Sequence, residues 1–417
     1  MKEMISPQST VGLTSDLADD QITAKLSVPT RKTFGITIPD RWKPLWEIVL
    51  LFSFSRALFI VLTYIGVVLV SHPNYSGAGT SLHFLLESWD HWDANNYVNI
   101  AQRGYPTKND FAFFPLYPFA IRIVAIVVRN YVVSGILLSN AAFLGALIVI
   151  HKLVLGVTGD TKVAQRTIVY LTFFPTAFFL FAAYNEAFFI LFSAGMFLAM
   201  QHRQWLLAGI LGALASGTRS VGILLVLPYL WECWSASDQK LFVLSKERFV
   251  RLLPICLIPI GLLVFCFYCW QKTGDPLAFS TVQAHWGRTT MWPWQAIWLT
   301  LYGIFQVHFG SFLQVHLLLD LSATLAFLLL TILGWRYLPK SYIIWSASIL
   351  LLLLCNASIS GDILQSNQRI VLESFPGFIV LGIISKKYPR LHQMLIFLFP
   401  FLLSILCLLF LERRWMV

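Results

Sequence analysis

Phe113-Phe114-Pro115-Leu116-Tyr117-Pro118-Phe119-Ala120-Ile121-Arg122-Ile123-Val124-Ala125-Ile126-Val127-Val128 decides how this chain is threaded. The run is apolar enough to resemble a membrane span, yet Pro115, Pro118 and Arg122 interrupt it. If it crossed, Lys152, Lys162 and Arg166 would all face outward, against the bias of Lys and Arg for cytoplasmic loops. Read as an interfacial or re-entrant helix, it leaves residues 71–130 as one long outer segment. The next span, 131–152, then ends in the cytoplasm beside those three cations. The positive-inside rule favours the second reading.

Composition agrees with a chain built for a bilayer. It is 57% hydrophobic and 12% charged with a mean hydropathy of +0.71, against roughly 25% charged residues in soluble domains. A span needs roughly 20 apolar residues. The expected spans are 46–70, 131–152, 163–182, 185–201, 204–218, 220–234, 251–271, 312–335, 341–359, 369–385 and 393–411. The expected fold is therefore all-α, a polytopic transmembrane helical bundle of about 11 spans, in the range of about 10–13. Two long outer loops, 71–130 and 272–311, carry juxtamembrane helices. The domain reading is a cytoplasmic N-terminal tail at 1–45, a transmembrane module at 46–271 with its first outer loop, the second outer loop at 272–311, and C-terminal helices at 312–417. This threading places 19 of the 30 Lys and Arg residues inside.

The net charge of +10 is thus a matter of orientation, and no Lys/Arg run of the nucleic-acid type appears. The six cysteines lie in or beside apolar runs, where Cys packs as a small hydrophobe. Cys266-Phe-Tyr-Cys269 lacks the second pair that a metal or redox site needs. No Walker loop, HExxH, GxSxG or dinucleotide glycine fingerprint is present. Asp19-Asp20 lies in the tail, away from any nucleotide-sugar context. A donor without a nucleotide is favoured, and no cofactor is expected.

Against this apolar background, Asp90, Asp93, Glu186, Arg219, His285, Arg288, Asp362, Gln368 and Arg369 all map to outer loops or outer span ends. Ionisable groups near a membrane interior are costly and mark function. Their convergence on one side points to a single outward-facing cavity. Asp90 and Asp93, three apart, would share a helix face as an acid/base pair, or Asp would cap a juxtamembrane helix. Trp89, Trp92 and Tyr97 offer faces for sugar rings, though interfacial Trp and Tyr are common in any membrane protein. Glu186, between two aromatic runs, needs a partner, and Arg219 is the expected one. Arg219 either closes a structural ion pair or binds phosphate, for which its fork is well shaped. Arg369 and Arg288 carry the same two readings, and His285 is a lone loop histidine.

Taken together, these residues resemble the PIG-V family of mannosyltransferases, integral-membrane glycosyltransferases of the GT-C type. The matching features are Trp92-Asp93 with Tyr97, Gly104-Tyr105 and Phe113-Phe114-Pro115-Leu116-Tyr117-Pro118. Ser139-Asn140, Tyr184-Asn185-Glu186, Thr218-Arg219-Ser220, Trp286-Gly287-Arg288 and Gln368-Arg369 follow in order. The resemblance implies a polyprenyl- or dolichyl-phosphate mannose donor, a lipid-linked or cell-envelope glycan acceptor, and inverting, metal-independent transfer. It assigns the general base to Asp93, with Asp90 secondary. It also implies donor-phosphate contacts from Arg219, Arg288 and Arg369. Substrate contacts would come from Trp92, Tyr97, Tyr184, Asn185, Glu186, His285, Trp286 and Gln368. Gln368 stands where the eukaryotic pattern more typically has Ser, which favours a bacterial cytoplasmic membrane, with the endoplasmic reticulum membrane the place for a eukaryotic chain. A lipid-linked sugar flippase would need repeat symmetry, which the sequence lacks. A non-catalytic subunit would tolerate loss of Asp93, which is retained.

Overall fold

The computed structural model describes Pro39 and residues 42–71, 81–235, 246–359 and 361–415. Most of the expected tail, 1–45, lies outside the described residues. Leu45–Val417 forms one unit, and every contact below lies within it.

The interrupted run is a short helix. α1 (Lys43–Ile65) ends in a π-helical turn, followed by α2 (Leu82–Glu87), α3 (Asp93–Arg103) and α4 (Leu116–Val128). At 13 residues, α4 is about 20 Å long, against a hydrocarbon core of about 30 Å. Pro115 is its N-cap and Pro118 falls in its first turn, where a missing N–H breaks no helical bond. Tyr117, Ile121 and Ala125 are buried at four-residue spacing while Arg122 is exposed, so α4 lies along the bundle on one face.

α5 (Tyr131–Thr158) has 28 residues; Asn130 caps it by accepting from the Val133 N–H, and Gly159 ends it at φ 65°. α6 (Thr161–Phe173), α7 (Glu186–Gln201), α8 (Trp205–Thr218) and α9 (Val226–Ser235) occupy four of the expected spans. α10 (Lys246–Leu252) and α11 (Ile260–Thr273) lead into the second loop, which holds α12 (Ala278–Thr281) and α13 (Pro293–Gln306). α14 (Phe312–Gly334), α15 (Lys340–Cys355), α16 (Asn367–Ile370), α17 (Phe375–Lys387) and α18 (Pro389–Leu411) complete the bundle. Among the described residues five helical stretches, Lys43–Val70, Tyr131–Thr158, Phe249–Thr273, Phe312–Gly334 and Pro389–Leu411, are long and apolar enough to cross a bilayer. Five shorter apolar helices stand beside them. The chain is an all-α integral membrane protein.

Two features depart from continuous spans. A short antiparallel ribbon, β1 (Arg288–Thr290) with β2 (Asn356–Ser358), joins the second loop to the end of α15 in the register Arg288↔Ser358. Several expected spans also break: 163–182 after Phe173, 220–234 at a 3₁₀ turn over Ser220–Leu225, and 369–385 at a 3₁₀ turn over Val371–Glu373. Irregular backbone at membrane depth is tolerated only inside protein or along a wet cavity. These breaks therefore mark the place where side chains displace lipid.

Small residues let the helices approach. A Cβ on Gly382 of α17 would come within 2.7 Å of the Thr167 Oγ1 on α6, and one on Gly261 of α11 would run into the Ala213 carbonyl on α8, the close contact that drives helix association in lipid. Polar contacts sort to two ends of the bundle. At one end Asp160 pairs with Lys386, Gln165 donates to Glu47 at 2.6 Å, and Tyr229 donates to the Arg251 carbonyl at 2.8 Å. At the other end lie Asp93, Glu186 and Arg369. The charge-derived threading expects the first of these ends at the cytoplasmic face. In a cysteine-free background, a cysteine at exposed Lys162 is expected to react with impermeant maleimide only after the cytoplasmic face is opened. Labelling of intact cells at this position would overturn the threading.

Candidate active site

Asp93 is the first residue of α3, where the helix dipole favours a carboxylate. Trp92 before it holds φ 55°, a conformation rare for a bulky residue and stored mostly at functional sites. The strained turn sends the Trp92 ring to 5.1 Å from Trp415 and leaves Asp93 facing a cavity of about 1030 Å³. Asp90 does not share the helix with Asp93, contrary to the spacing argument, because α3 begins at Asp93. Its Oδ2 accepts from Asn95 Nδ2 at 3.3 Å, it does not line the cavity, and burial raises its pKa.

Behind Asp93 lies a chain of alternating charges. Arg369 donates from Nη1 to Asp93 Oδ2 at 2.7 Å, and from Nε and Nη2 to Glu186 Oε1 at 2.7 and 2.5 Å. Arg219 Nη1 reaches the same Glu186 oxygen at 2.9 Å and Glu373 Oε1 at 2.9 Å. Asn185 Oδ1 accepts from Arg219 at 3.2 Å, and Asn185 Nδ2 donates to the Thr218 carbonyl at 3.0 Å. Glu186 and Glu373 have no exposed surface. The rings of Phe179 and Tyr184 lie under the Arg369 guanidinium at 4.8 and 4.6 Å, a cation–π seat that holds its plane. The expected Glu186–Arg219 pair is present, and Arg369 extends it to Asp93.

The remaining motif residues brace this chain. Tyr117 Oη lies 2.7 Å from Ser139 Oγ, which donates to the Tyr184 carbonyl at 2.8 Å. Tyr184 in turn donates from its hydroxyl to the His91 carbonyl at 3.2 Å, and Asn140 donates to the Phe181 carbonyl at 3.0 Å. Tyr105 donates to the Phe113 carbonyl at 2.8 Å, closing the loop after Gly104 at φ 78°. Ser139 and Asn140 of α5, with Tyr117 behind Ser139, therefore fix the 181–184 backbone that leads into Glu186.

Trp92, Asp93, Tyr97, Asn185, Arg219, Arg288 and Arg369 all line the cavity. Tyr184, Glu186 and Gln368 do not; they are buried behind it. Gln368 contributes its backbone: its carbonyl accepts from Thr176 Oγ1 at 2.8 Å, and its N–H donates to Asp320 Oδ1 at 2.8 Å. Arg288 donates to the carbonyls of Asn356 and Gln365 at 3.2 and 3.4 Å. Among the described residues no carboxylate lies in salt-bridge contact with it, so its charge is available to the cavity. The side chains of His285 and Trp286 lie outside the described residues. Glu373, His316 and Asp320 are buried polar residues that the sequence reading passed over. The signal for Asp320 was available, since it is the lone acid in the 23-residue α14.

The chain is similar to GPI alpha-1,6-mannosyltransferase 2 of Cricetulus griseus, 30% identical over 206 residues that cover 45% of this chain and 41% of the relative. It is likewise similar to GPI mannosyltransferase 2 of Schizosaccharomyces pombe, 29% identical over 143 residues covering 33% of this chain and 31% of the relative. The chain thus spans less than half the length of these curated relatives. Among solved structures, the oligosaccharyltransferase of Archaeoglobus fulgidus aligns with a TM-score of 0.42 at 11% identity, over 90% of this chain and 56% of that one. The sequence profile of the mannosyltransferase (PIG-V) family matches residues 78–329. With more than half of its length so matched, the chain belongs to the mannosyltransferase (PIG-V) family.

Proposed function

We propose that the chain transfers mannose from a polyprenyl- or dolichyl-phosphate donor to a hydroxyl of a lipid-linked or cell-envelope glycan on the outer or lumenal face. The observation that carries this reading is one cavity wall that presents the Asp93 carboxylate together with the guanidinium groups of Arg219, Arg288 and Arg369. The acceptor oxygen attacks the anomeric carbon and Asp93 takes its proton. The bond from that carbon to the phosphate oxygen breaks with inversion. The electron pair leaves on the polyprenyl phosphate, whose charge the arginines stabilise. One carboxylate suffices, because phosphate departs without a general acid; glycoside hydrolases need a second carboxyl group.

Arg288 is the first contact for the donor phosphate in this scheme, since Arg219 and Arg369 already hold carboxylates. A hydrogen bond to a charged group contributes about 1.5–3 kcal/mol, so Arg288→Ala should raise the KM for donor by about 10–100-fold. The fold should be unaffected, because only two carbonyl contacts are lost. Transfer of radiolabelled mannose from polyprenyl-phosphate mannose in membranes tests the function itself. Membranes rich in the protein that incorporate no more label than control membranes, across lipid-linked and envelope acceptors, would refute the reading.

A further inference from the structure

We propose that His316, Asp320 and Asp362 form a divalent-cation site, separate from the transfer cavity, that ties the segment 361–369 to α14. None of the three residues lines the cavity. His316 and Asp320 stand one helical turn apart on α14, the spacing that puts two side chains on one face. His316 Nε2 lies 3.2 Å from Asp320 Oδ2 and 3.5 Å from Asp362 Oδ2. One donor atom from each residue falls within 4.8 Å of the other two. Ligands held tetrahedrally at roughly 2.0–2.1 Å from a metal are about 3.4 Å apart, so the cluster already has the spacing of a coordination shell.

A cluster of acids alone would not make a site, but the buried atoms here point to an occupant. Asp320 has no exposed surface and His316 is 5% exposed. Beyond the ion-pair approaches within the cluster itself, His316 Nε2, Asp320 Oδ2 and Asp362 Oδ1 have no hydrogen-bond partner among the described residues. Asp320 Oδ1 is already fixed by the Gln368 N–H at 2.8 Å, which aims the other oxygen into the cluster. Two carboxylates withdrawn from water beside one imidazole are costly to hold there, and Arg288, the other cation that attracts Asp362, spends its hydrogen bonds on the Asn356 and Gln365 carbonyls. One imidazole nitrogen with carboxylate oxygens is a donor set for Zn²⁺ or Mn²⁺, with solvent completing the shell. The ion would clamp the stretch that presents Arg369, through Asp320 and the backbone of Gln368.

The test needs no mannosyl transfer and is independent of the proposed function. Full-length protein is purified in detergent, freed of any histidine tag, and assayed for bound metal by mass spectrometry. It is then stripped with EDTA, titrated with Zn²⁺ and Mn²⁺, and followed by thermal unfolding. About one divalent ion per chain is expected in the purified or reloaded protein. Stripping should lower the Tm by ~5 °C, and metal at about 100 times its Kd should restore it. Asp362→Asn should lose both the ion and the EDTA effect while melting like the stripped wild type. Absence of stoichiometric metal after reloading, or a Tm indifferent to EDTA, would overturn the site. So would full metal binding by the Asp362→Asn protein. Should that variant not fold, the wild-type metal content and chelator response decide alone.

Discussion

Asp93→Asn is expected to lower mannosyl transfer by ~10²–10⁴-fold, the usual contribution of a positioned general base, while the protein folds and retains donor. Asparagine preserves the shape of the side chain and still accepts a hydrogen bond from Arg369 Nη1, now 2.7 Å from Asp93 Oδ2. It loses the ability to take a proton and the charge of its ion pair with Arg369, which keeps Glu186 as its buried counter-ion. The partial exposure of Asp93, at 31%, allows the variant to hydrate, so the loss should fall on kcat. Asp90→Asn provides the contrast: Asp90 bonds Asn95 and stays off the cavity wall, so this change should cost a few-fold at most. Assays of both variants with saturating polyprenyl-phosphate mannose separate the two carboxylates. Asp93→Asn turnover within a few-fold of wild type would remove Asp93 from the chemistry, and a larger defect in Asp90→Asn would transfer the role to Asp90.

The residues legible in the sequence were those whose polarity contradicted their surroundings. Asp93, Glu186, Arg219 and Arg369 stand out because a bilayer does not retain unneeded charge, and the structure joins all four. The Glu186–Arg219 pairing followed from the need of a buried carboxylate for a counter-ion. The helix breaks were harder to see. Thr218-Arg219-Ser220 and the stretch before Phe375-Pro376 read as ends of spans, but their 3₁₀ turns exist because the chain unwinds around the ion network. That is a tertiary effect with no local pattern. The ribbon of Arg288–Thr290 with Asn356–Ser358 was hidden for the same reason, since three-residue strands show no alternation to read. That Tyr184, Glu186 and Gln368, expected among the substrate contacts, stand behind the cavity and not on its wall has another cause. Residues that brace a site share its motif, and spacing does not tell a wall from its support. Glu373, which the sequence reading passed over, is the second partner of Arg219.

Glu186→Ala is expected to destabilise the protein by about 3–5 kcal/mol, the penalty for breaking a buried ion pair from one side. A single oxygen, Glu186 Oε1, receives Arg369 at 2.7 and 2.5 Å and Arg219 at 2.9 Å. Alanine leaves both guanidinium groups short of a counter-charge in a site with no exposed surface at position 186. Arg219 keeps Glu373, but Arg369 keeps only the partly exposed Asp93. Against a total stability of roughly 5–15 kcal/mol, the single variant should melt far below wild type or fail to accumulate. Glu186→Ala combined with Arg369→Met should be the more stable of the two, because removing both partners leaves no orphaned cation and fills the space above Phe179 and Tyr184 with apolar volume. Activity would not return, since Arg369 also holds Asp93. Thermal unfolding of the single and double variants in detergent measures the order. A double variant that melts below the single one would mean that Glu186 acts through shape and not through charge.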